Sequence, residues 1–421
     1  MELEAFRELI SPIGQEAIAD AAALAPTEAE FLRHFEKLRK RYPAELAKAA
    51  LETVLLRIRA REKHSNADRL YFTREALEQS SSEAVSKHRA KRFARFGHVL
   101  DLCCGIGIDA IELARAGCRV TAIDSDPLRL AMAWANAEAC GAAIQFLEGD
   151  VLTMPLPSAD AAFVDPSRRD GERRYLDPAK YQPPLSAVLA RFPLGFPLAA
   201  KIAPGVAQEF LASGGRKPPD SAELQESGGL RPPLAKSFEC EFISSAGELK
   251  ECVPWFGELK TARRRATVLP DASLASDELL DDPPPRPVGE FLFDPDAAVI
   301  RAGLLPLLCE QFGAAPIDHG VALLTGEMPA ESPFADCYRV EVVAPMQVAK
   351  LRGYLRERGV GRATILKRAV EIDVNDVRKQ LKLTGSDHRH VIFTQSLGKR
   401  VAIVANPQAG CATGAISRRP H

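Results

Sequence analysis

Val99-Leu100-Asp101-Leu102-Cys103-Cys104-Gly105-Ile106-Gly107-Ile108-Asp109 reads as an apolar strand that runs into a tight glycine turn and opens a helix. Gly105 and Gly107 carry no Cβ, so a ligand can approach the backbone there, at the carboxyl end of a sheet where such folds hold nucleotides. Three more carboxylates close the following apolar runs: Asp124, Asp150 in Gly149-Asp150-Val151, and Asp165 at the head of Asp165-Pro166-Ser167-Arg168-Arg169. Four acids at successive strand ends make poor surface decoration. Asp124 is placed to accept hydrogen bonds from two ribose hydroxyls. A dinucleotide site shares the first two of these features, the glycine turn and Asp124, and favours a full G-x-G-x-x-G; Ala110 is a substitution that fingerprint allows, so spacing alone leaves that reading open. Asp101 and Asp109 discriminate better: carboxylates there repel a diphosphate but suit a ligand carrying an ammonium and a positive sulfonium.

These residues need a scaffold, and the pattern from residue 98 onward supplies one. Short apolar strands alternate with helices, as in a parallel sheet with right-handed crossovers. Strands are expected at 98–103, 119–124, 144–148, 161–165 and 197–202, with helices at 109–116 and 128–140. Two later strands, 238–244 and 264–269, are expected to close the sheet as a hairpin. Residues 1–95 read as helical: Thr27 and Glu30 form a capping box before Phe31, Leu32, Phe35 and Leu38, and Pro43 starts a helix with Leu46, Ala50, Val54 and Ile58 on one face. A third helix from Ser82 carries Lys87, His88, Arg89, Lys91, Arg92 and Arg95, either as a solvated face or as an anion or RNA contact.

Residues 210–237 are rich in Gly, Pro and Ser and hold a near repeat, Ser213-Gly-Gly-Arg-Lys-Pro-Pro219 and Ser227-Gly-Gly-Leu-Arg-Pro-Pro233. That composition cannot bury a core and is expected to form an inserted loop within a catalytic domain spanning 96–275. The acidic, proline-rich stretch 276–287 reads as a linker. Beyond it, a C-terminal region over 288–406 is expected to hold a helix at 295–312 and a small α/β module. The module's strands are expected at 338–343, 363–372, 390–394 and 400–404, its helices at 346–358 and 374–381, and a disordered tail at 407–421.

The chain has 421 residues, too many for one core of about 250. Hydrophobic residues make up 46% and charged residues 26%, and no apolar run approaches the roughly 20 residues that cross a bilayer. The acidic N-terminus lacks the features of a signal peptide, so a cytoplasmic enzyme with no membrane partner is expected. Nine cysteines are scattered without C-x-x-C pairs or zinc-ligand spacing, which predicts reduced thiols and no metal. A net charge of -1 argues against indiscriminate polyanion binding, though it can hide a local basic face.

The segment from about 97 to 205 resembles a class I S-adenosylmethionine-dependent methyltransferase. The resemblance implies a doubly wound, Rossmann-like α/β sheet, with S-adenosyl-L-methionine as cofactor. It further implies that Asp101, Cys103, Gly105 and Gly107 cradle the methionine end, that Asp124 holds the ribose, and that Asp150 meets the adenine edge. Cys103 stands where many members have the first glycine. Over most of its length the chain is similar to bacterial methyltransferases that end in a THUMP-like domain. That similarity is carried by Leu77-Glu78-Gln79, His88-Arg89-Ala90, Asp165-Pro-Ser-Arg-Arg169, Lys201-Ile-Ala-Pro-Gly205, Arg263-Arg-Arg-Ala266 and Gly359-Val-Gly-Arg-Ala-Thr-Ile-Leu-Lys-Arg368. THUMP domains in other enzymes bind RNA, typically tRNA.

Asp165, Pro166 and Arg168 are the candidate catalytic residues. They sit where enzymes that methylate exocyclic amines carry Asp/Asn-Pro-Pro-aromatic, and an Asp carboxylate there can accept from the target N–H and aim its lone pair. Arg168 replaces the stacking aromatic; with Arg169 it could grip a phosphate or carboxylate, or it could pair with a neighbouring acid and hold the loop. A uracil-type mechanism needs a nucleophilic cysteine after the fifth strand, where Lys201-Ile-Ala-Pro has none, and Cys103 or Cys104 fit cofactor packing better. Lys201 could approach the active site from the fifth strand, though a lysine at a strand end is more often solvated or ion-paired. In the C-terminal module Arg362, Lys367 and Arg368, with Lys379 and Lys382, form either an RNA-binding stripe or a solvent face balanced by Glu371 and Asp373. The reading is a methyltransferase acting on a nucleobase nitrogen of structured RNA, tRNA or rRNA. Its alternatives are a small-molecule or protein acceptor, or a non-catalytic RNA-binding protein that keeps the cofactor. Oligomeric state is not legible.

Overall fold

The computed structural model describes residues 1–170, 173–206, 238–278 and 280–408. The predicted 210–237 loop, Cys411, residues 409–421 of the expected tail and the Arg169 side chain lie outside the described set. The chain divides into two compact units, one comprising residues 1–239 and 253–261, the other 240–252 and 262–421. The division falls inside a strand pair rather than at 276–287.

The first unit opens with helices α1 (Leu3–Ile10), α2 (Pro12–Ala23), α3 (Phe31–Leu38) and α4 (Ala44–Ala60), followed by α5 (Arg74–Gln79) and α6 (Glu83–Phe93). Leu46, Ala50 and Val54 of α4 are buried as their spacing predicts, whereas Ile58 is 40% exposed. In α3 Leu38 is buried and Phe31 and Phe35 pack against the core as their spacing predicts, but Leu32 is 75% exposed and His34 is buried in its stead. Thr27 donates to the Glu30 carboxylate at 3.2 Å but caps no backbone N–H, so the first turn is 3-10.

Four parallel strands follow: β1 (His98–Leu102), β2 (Arg119–Asp124), β3 (Ile144–Glu148) and β4 (Ala161–Val164). Helix α7 (Ile108–Arg115) joins β1 to β2, and α8 (Pro127–Cys140) joins β2 to β3. The residues that start and stop α8 follow elementary rules: Asp126 accepts from the N–H groups of Leu128 and Arg129, Pro127 sits at the first turn, and Gly141 ends it at φ 67°. After two short strands, β5 (Arg169–Asp170) and β6 (Arg173–Arg174), and the helix α9 (Leu185–Leu189), the chain re-enters the sheet as β7 (Leu198–Ala200). The order β7-β4-β1-β2-β3 reverses direction between β1 and β4, and a crevice opens at the carboxyl ends of those two strands. This is the predicted doubly wound α/β sheet.

The helical N-terminal region has no core of its own. Phe6, Leu9, Leu46, Leu51 and Phe72 share one hydrophobic cluster with Ile106 of the glycine turn and Met132 of α8. Asn136 of α8, fully buried, accepts from the Tyr71 N–H at 2.7 Å and donates to the carbonyls of Tyr71 and Ile106. An amide that satisfies three backbone groups in a dry core holds both segments in one register.

In place of the predicted hairpin, β8 (Phe238–Ser245) turns back as β9 (Glu248–Phe256), a strand whose Pro254 and alternating charges hid it. The strand β10 (Arg264–Val268) pairs with β8 in parallel, and β11 (Ala272–Ser276) closes against β10. In the second unit, β12 (Phe291–Pro295), β13 (Ala315–Pro316), β14 (Leu324–Gly326), β15 (Ala335–Pro345), β16 (Val360–Lys367), β17 (Asp387–Ser396) and β18 (Lys399–Pro407) form a sheet in the order β13-β14-β12-β15-β18-β17-β16. The single helix expected at 295–312 is two, Ala297–Ala302 and Leu305–Phe312, because Gly303 leaves the helical region at φ 68°. Helices Val348–Glu357 and Val374–Leu381 cover one face of the sheet through Leu351, Leu355, Val377 and Leu381.

Among the described residues no helix is long and apolar enough to cross a membrane, and no cluster of three His, Cys, Asp or Glu could hold a metal.

Candidate active site

The glycine turn hangs from the end of β1. Asp101 is 1% exposed and both of its carboxylate oxygens lack a hydrogen-bond partner. Burial pushes this carboxyl well above the ordinary range, and Asp109, Asp165 and Asp124 add to the rise against a smaller opposing pull from Arg89. An orphaned carboxylate so deep is costly unless a ligand supplies the missing donor or cation.

Cys103 takes up φ 59°, the left-handed conformation a glycine would adopt, at a cost of about 1–2 kcal/mol for a residue with a Cβ. The turn therefore follows the glycine path despite the substitution. Gly107, at φ 81°, is needed for space as well: a Cβ there would lie 3.0 Å from the Ala133 Cβ. A Cβ on Gly105 would meet nothing within 4 Å, so the turn leaves room beside its backbone. The Gly105 N–H donates to Asp124 Oδ2 at 2.8 Å and the Asp126 N–H to Oδ1 at 2.9 Å, which fixes the carboxylate at the end of β2. Burial still raises Asp124 above its usual range, those two bonds offsetting part of the rise. Asp150, exposed beyond β3, accepts from the Leu152 N–H at 2.8 Å and orders its own turn.

Charge pairing sorts the remaining acids. Asp109 is held by Arg89 of α6, which is 2% exposed, donates also to Ser81 Oγ at 2.8 Å and lies 4.9 Å over the Phe163 ring. Burial alone would raise Asp109, but Arg89 and then Lys201 outweigh it and bring it below the ordinary range. Arg92 forks onto buried Glu239 at 2.8 and 2.9 Å and lies 4.4 Å over Trp255, while Arg95 donates to the Glu258 carbonyl. Arg89 and Arg92 are interior fasteners, neither solvated nor open to an anion, whereas Arg95 lies on the solvated face that one of the two sequence readings expects. Asp109 is likewise spoken for, which leaves Asp101 as the one of these site acids, among the described residues, that is buried with neither oxygen hydrogen-bonded.

Asp165 follows β4. Its Oδ2 accepts from Lys201 Nζ at 2.6 Å, and Lys201 also donates to the Gln79 carbonyl at 3.0 Å. Lys201 is 3% exposed, so of the sequence expectations the ion-paired one holds and the solvated one does not; the signal was a lysine closing the apolar run Leu198-Ala199-Ala200. Arg168 makes no ion pair among the described residues, and its Nη1 is buried without a hydrogen-bond partner. Pro166 is buried between these two. Burial, then Asp124, Asp165 and Asp101, push the Cys103 thiol well up, and burial, then Asp101 and Asp124, do the same for Cys104. Neither thiol is poised as a nucleophile.

The C-terminal candidates do not converge. Arg362 and Lys367 have opposite parity on β16: Leu366, in phase with Arg362, packs on one face of the sheet, whereas Ala363 and Ile365, in phase with Lys367, pack under the helices. Arg368 forks onto Asp294 at 2.9 and 3.1 Å, and Lys367 donates to the Ile372 carbonyl at 3.1 Å. Alternation and pairing dissolve the predicted stripe.

The residues at the carboxyl ends of β1 and β2 fit S-adenosylmethionine. Asp101 is buried without a donor, the turn has space beside Gly105, and Asp124 is fixed at the end of β2 by two backbone N–H groups. Three family models match the chain: a methyltransferase domain over residues 99–165, a THUMP domain-like family over 335–407, and a domain of unknown function over 2–60. A protein described as an uncharacterized S-adenosylmethionine-dependent methyltransferase of Mycobacterium tuberculosis, found in two strains, is 33% identical over 371 residues, which is 85% of this chain and 96% of that protein. A crystal structure from Porphyromonas gingivalis W83, described as a candidate methyltransferase, has the same fold, with a TM-score of 0.68 at 21% identity over 91% of this chain and 99% of that one.

Proposed function

The chain belongs to the S-adenosylmethionine-dependent methyltransferases, and from that premise we propose that it methylates a nucleobase nitrogen in structured RNA, tRNA or rRNA. The bound cofactor supplies an electrophilic methyl group on a sulfonium, so the protein's work is to bind, orient and exclude water. Asp101 would take the ammonium of the methionine end, Gly105 and Gly107 would line its path, Asp124 would hold the ribose hydroxyls and Asp150 the adenine edge.

One observation carries the reading of the acceptor: Asp165 presents a carboxylate that is a quarter exposed at the mouth of the crevice, anchored through Oδ2 from the buried side. No hydrogen bond reaches Oδ1 among the described residues. That oxygen can accept from an amino N–H of a base and turn the nitrogen lone pair toward the methyl group. Three residues on, the unpartnered Arg168 nitrogen suits an anion, as a flanking phosphate provides. The THUMP domain-like segment supports RNA as the carrier of that base.

A second reading, an acidic small molecule or protein side chain as acceptor, draws support from the dispersal of Arg362, Lys367 and Arg368. Membership of an enzyme family sets aside the non-catalytic alternative. The test is transfer of radiolabel from S-adenosylmethionine to total RNA from cells lacking the gene, with Asp165→Ala as control. Nuclease-sensitive label that the variant does not give is the expected result; label confined to the protein or small-molecule fraction would reverse the choice.

A further inference from the structure

We propose that Lys201 is a positioning residue for Asp165, and that the helical N-terminal region completes the active site through it. The inference rests on the reading that Asp165 meets the acceptor. Lys201 follows β7 and Asp165 follows β4, its neighbour in the sheet, with Ala200 paired to Val164. The ion pair is asymmetric: the lysine side chain is 4% exposed and the aspartate 25%. The cation is therefore behind the carboxylate, and the carboxylate is what reaches the crevice.

Burying an ammonium costs several kcal/mol, which an apolar residue at this strand end would avoid. The cost is offset by two acceptors, Asp165 Oδ2 and the Gln79 carbonyl. The second is itself held in place. Lys63 donates to the carbonyls of Leu77 at 2.7 Å, Glu78 at 3.3 Å and Ser80 at 3.4 Å, and the Glu83 carboxylate accepts from the Ser65 N–H at 2.7 Å. Two lysines thus gather four successive carbonyls, and the one that Lys63 omits is the one that Lys201 takes. Residues 77–80 fix the ammonium, the ammonium fixes Oδ2, and Oδ1 is left for the acceptor.

The experiment is a double-mutant cycle on the full-length protein, with Lys201→Met, Asp165→Asn and both together, read as kcat, KM and cofactor Kd. It uses whichever fraction of extract from cells lacking the gene accepts label from S-adenosylmethionine. Lys201→Met should lower kcat about a hundredfold, the scale of a small misplacement, with cofactor Kd within about twofold. The double variant should be no slower than Asp165→Asn alone; losses that multiply would overturn the proposal. Hydrogen exchange of the unliganded protein gives a reading that needs no acceptor: Lys201→Met should speed exchange in peptides covering 77–83 and 165–168, and unchanged exchange at both would sink it. Label in a non-RNA fraction removes the RNA acceptor but leaves this cycle to be decided on the acceptor found.

Discussion

The crevice at β1 and β4 and the C-terminal module are both rich in charge, yet they treat it differently. Around the crevice, Arg89 takes Asp109 and Lys201 takes Asp165, and Asp101 is left over with two bare oxygens in a dry site. In the module, Arg368 is consumed by Asp294, and Arg362 and Lys367 are parted by strand alternation. A charge marks a ligand site where the fold has paired off its neighbours and left it alone. Abundance along the chain does not mark one.

The largest effect should come from the acid that meets the acceptor: Asp165→Ala is expected to cost about 100- to 10,000-fold in methyl transfer while calorimetry shows cofactor affinity nearly unchanged. Retained activity would mean that Asp165 only holds Lys201. Next is the fastener beneath the turn. Arg89→Ala strands the Asp109 charge in the interior and should destabilise the protein by about 3–5 kcal/mol in denaturant titration, whereas replacing both residues with apolar ones should cost less. A loss under 1 kcal/mol would contradict the buried-pair assignment.

Asp101→Asn should separate stability from binding. The folded carboxyl titrates above its unfolded counterpart, so the contribution of Asp101 to the stability of the unliganded protein is fully present below the ordinary carboxylate range and is lost as pH rises. The variant escapes this loss: its melting temperature should exceed wild type by a margin that widens with pH, while its affinity for S-adenosylmethionine falls about tenfold or more. A gap that narrows with pH, or unchanged affinity, would remove Asp101 from the cofactor site. Smallest are the module's charges. Arg368→Ala should lower the melting temperature without altering RNA affinity, and Arg362→Ala should reduce the salt dependence of RNA binding by about one unit of slope with stability unchanged. The opposite assignment of the two effects would restore the stripe.

Much of this was legible in the residues. The strands at 119–124 and 144–148 and the helix at 374–381 stand where periodicity puts them, since each is a short run whose local preference and burial agree. β9 was not legible, because Pro254 and scattered charges mask a strand that only its neighbours stabilise, and Gly303 divided a helix that apolar spacing alone would continue. Leu32 fits the helical face yet is exposed, since no partner covers it.

By itself the sequence determined the doubly wound sheet, the glycine turn and the acids at its strand ends, for these depend on residues close together in the chain. Only tertiary structure decided which charges pair. Arg89 and Asp109 are separated by β1 and the turn, Lys201 lies 36 residues beyond Asp165, and Gln79 lies 122 residues before Lys201. Ion pairing in a dry interior is set by distance in space and by desolvation, and neither is written in local spacing.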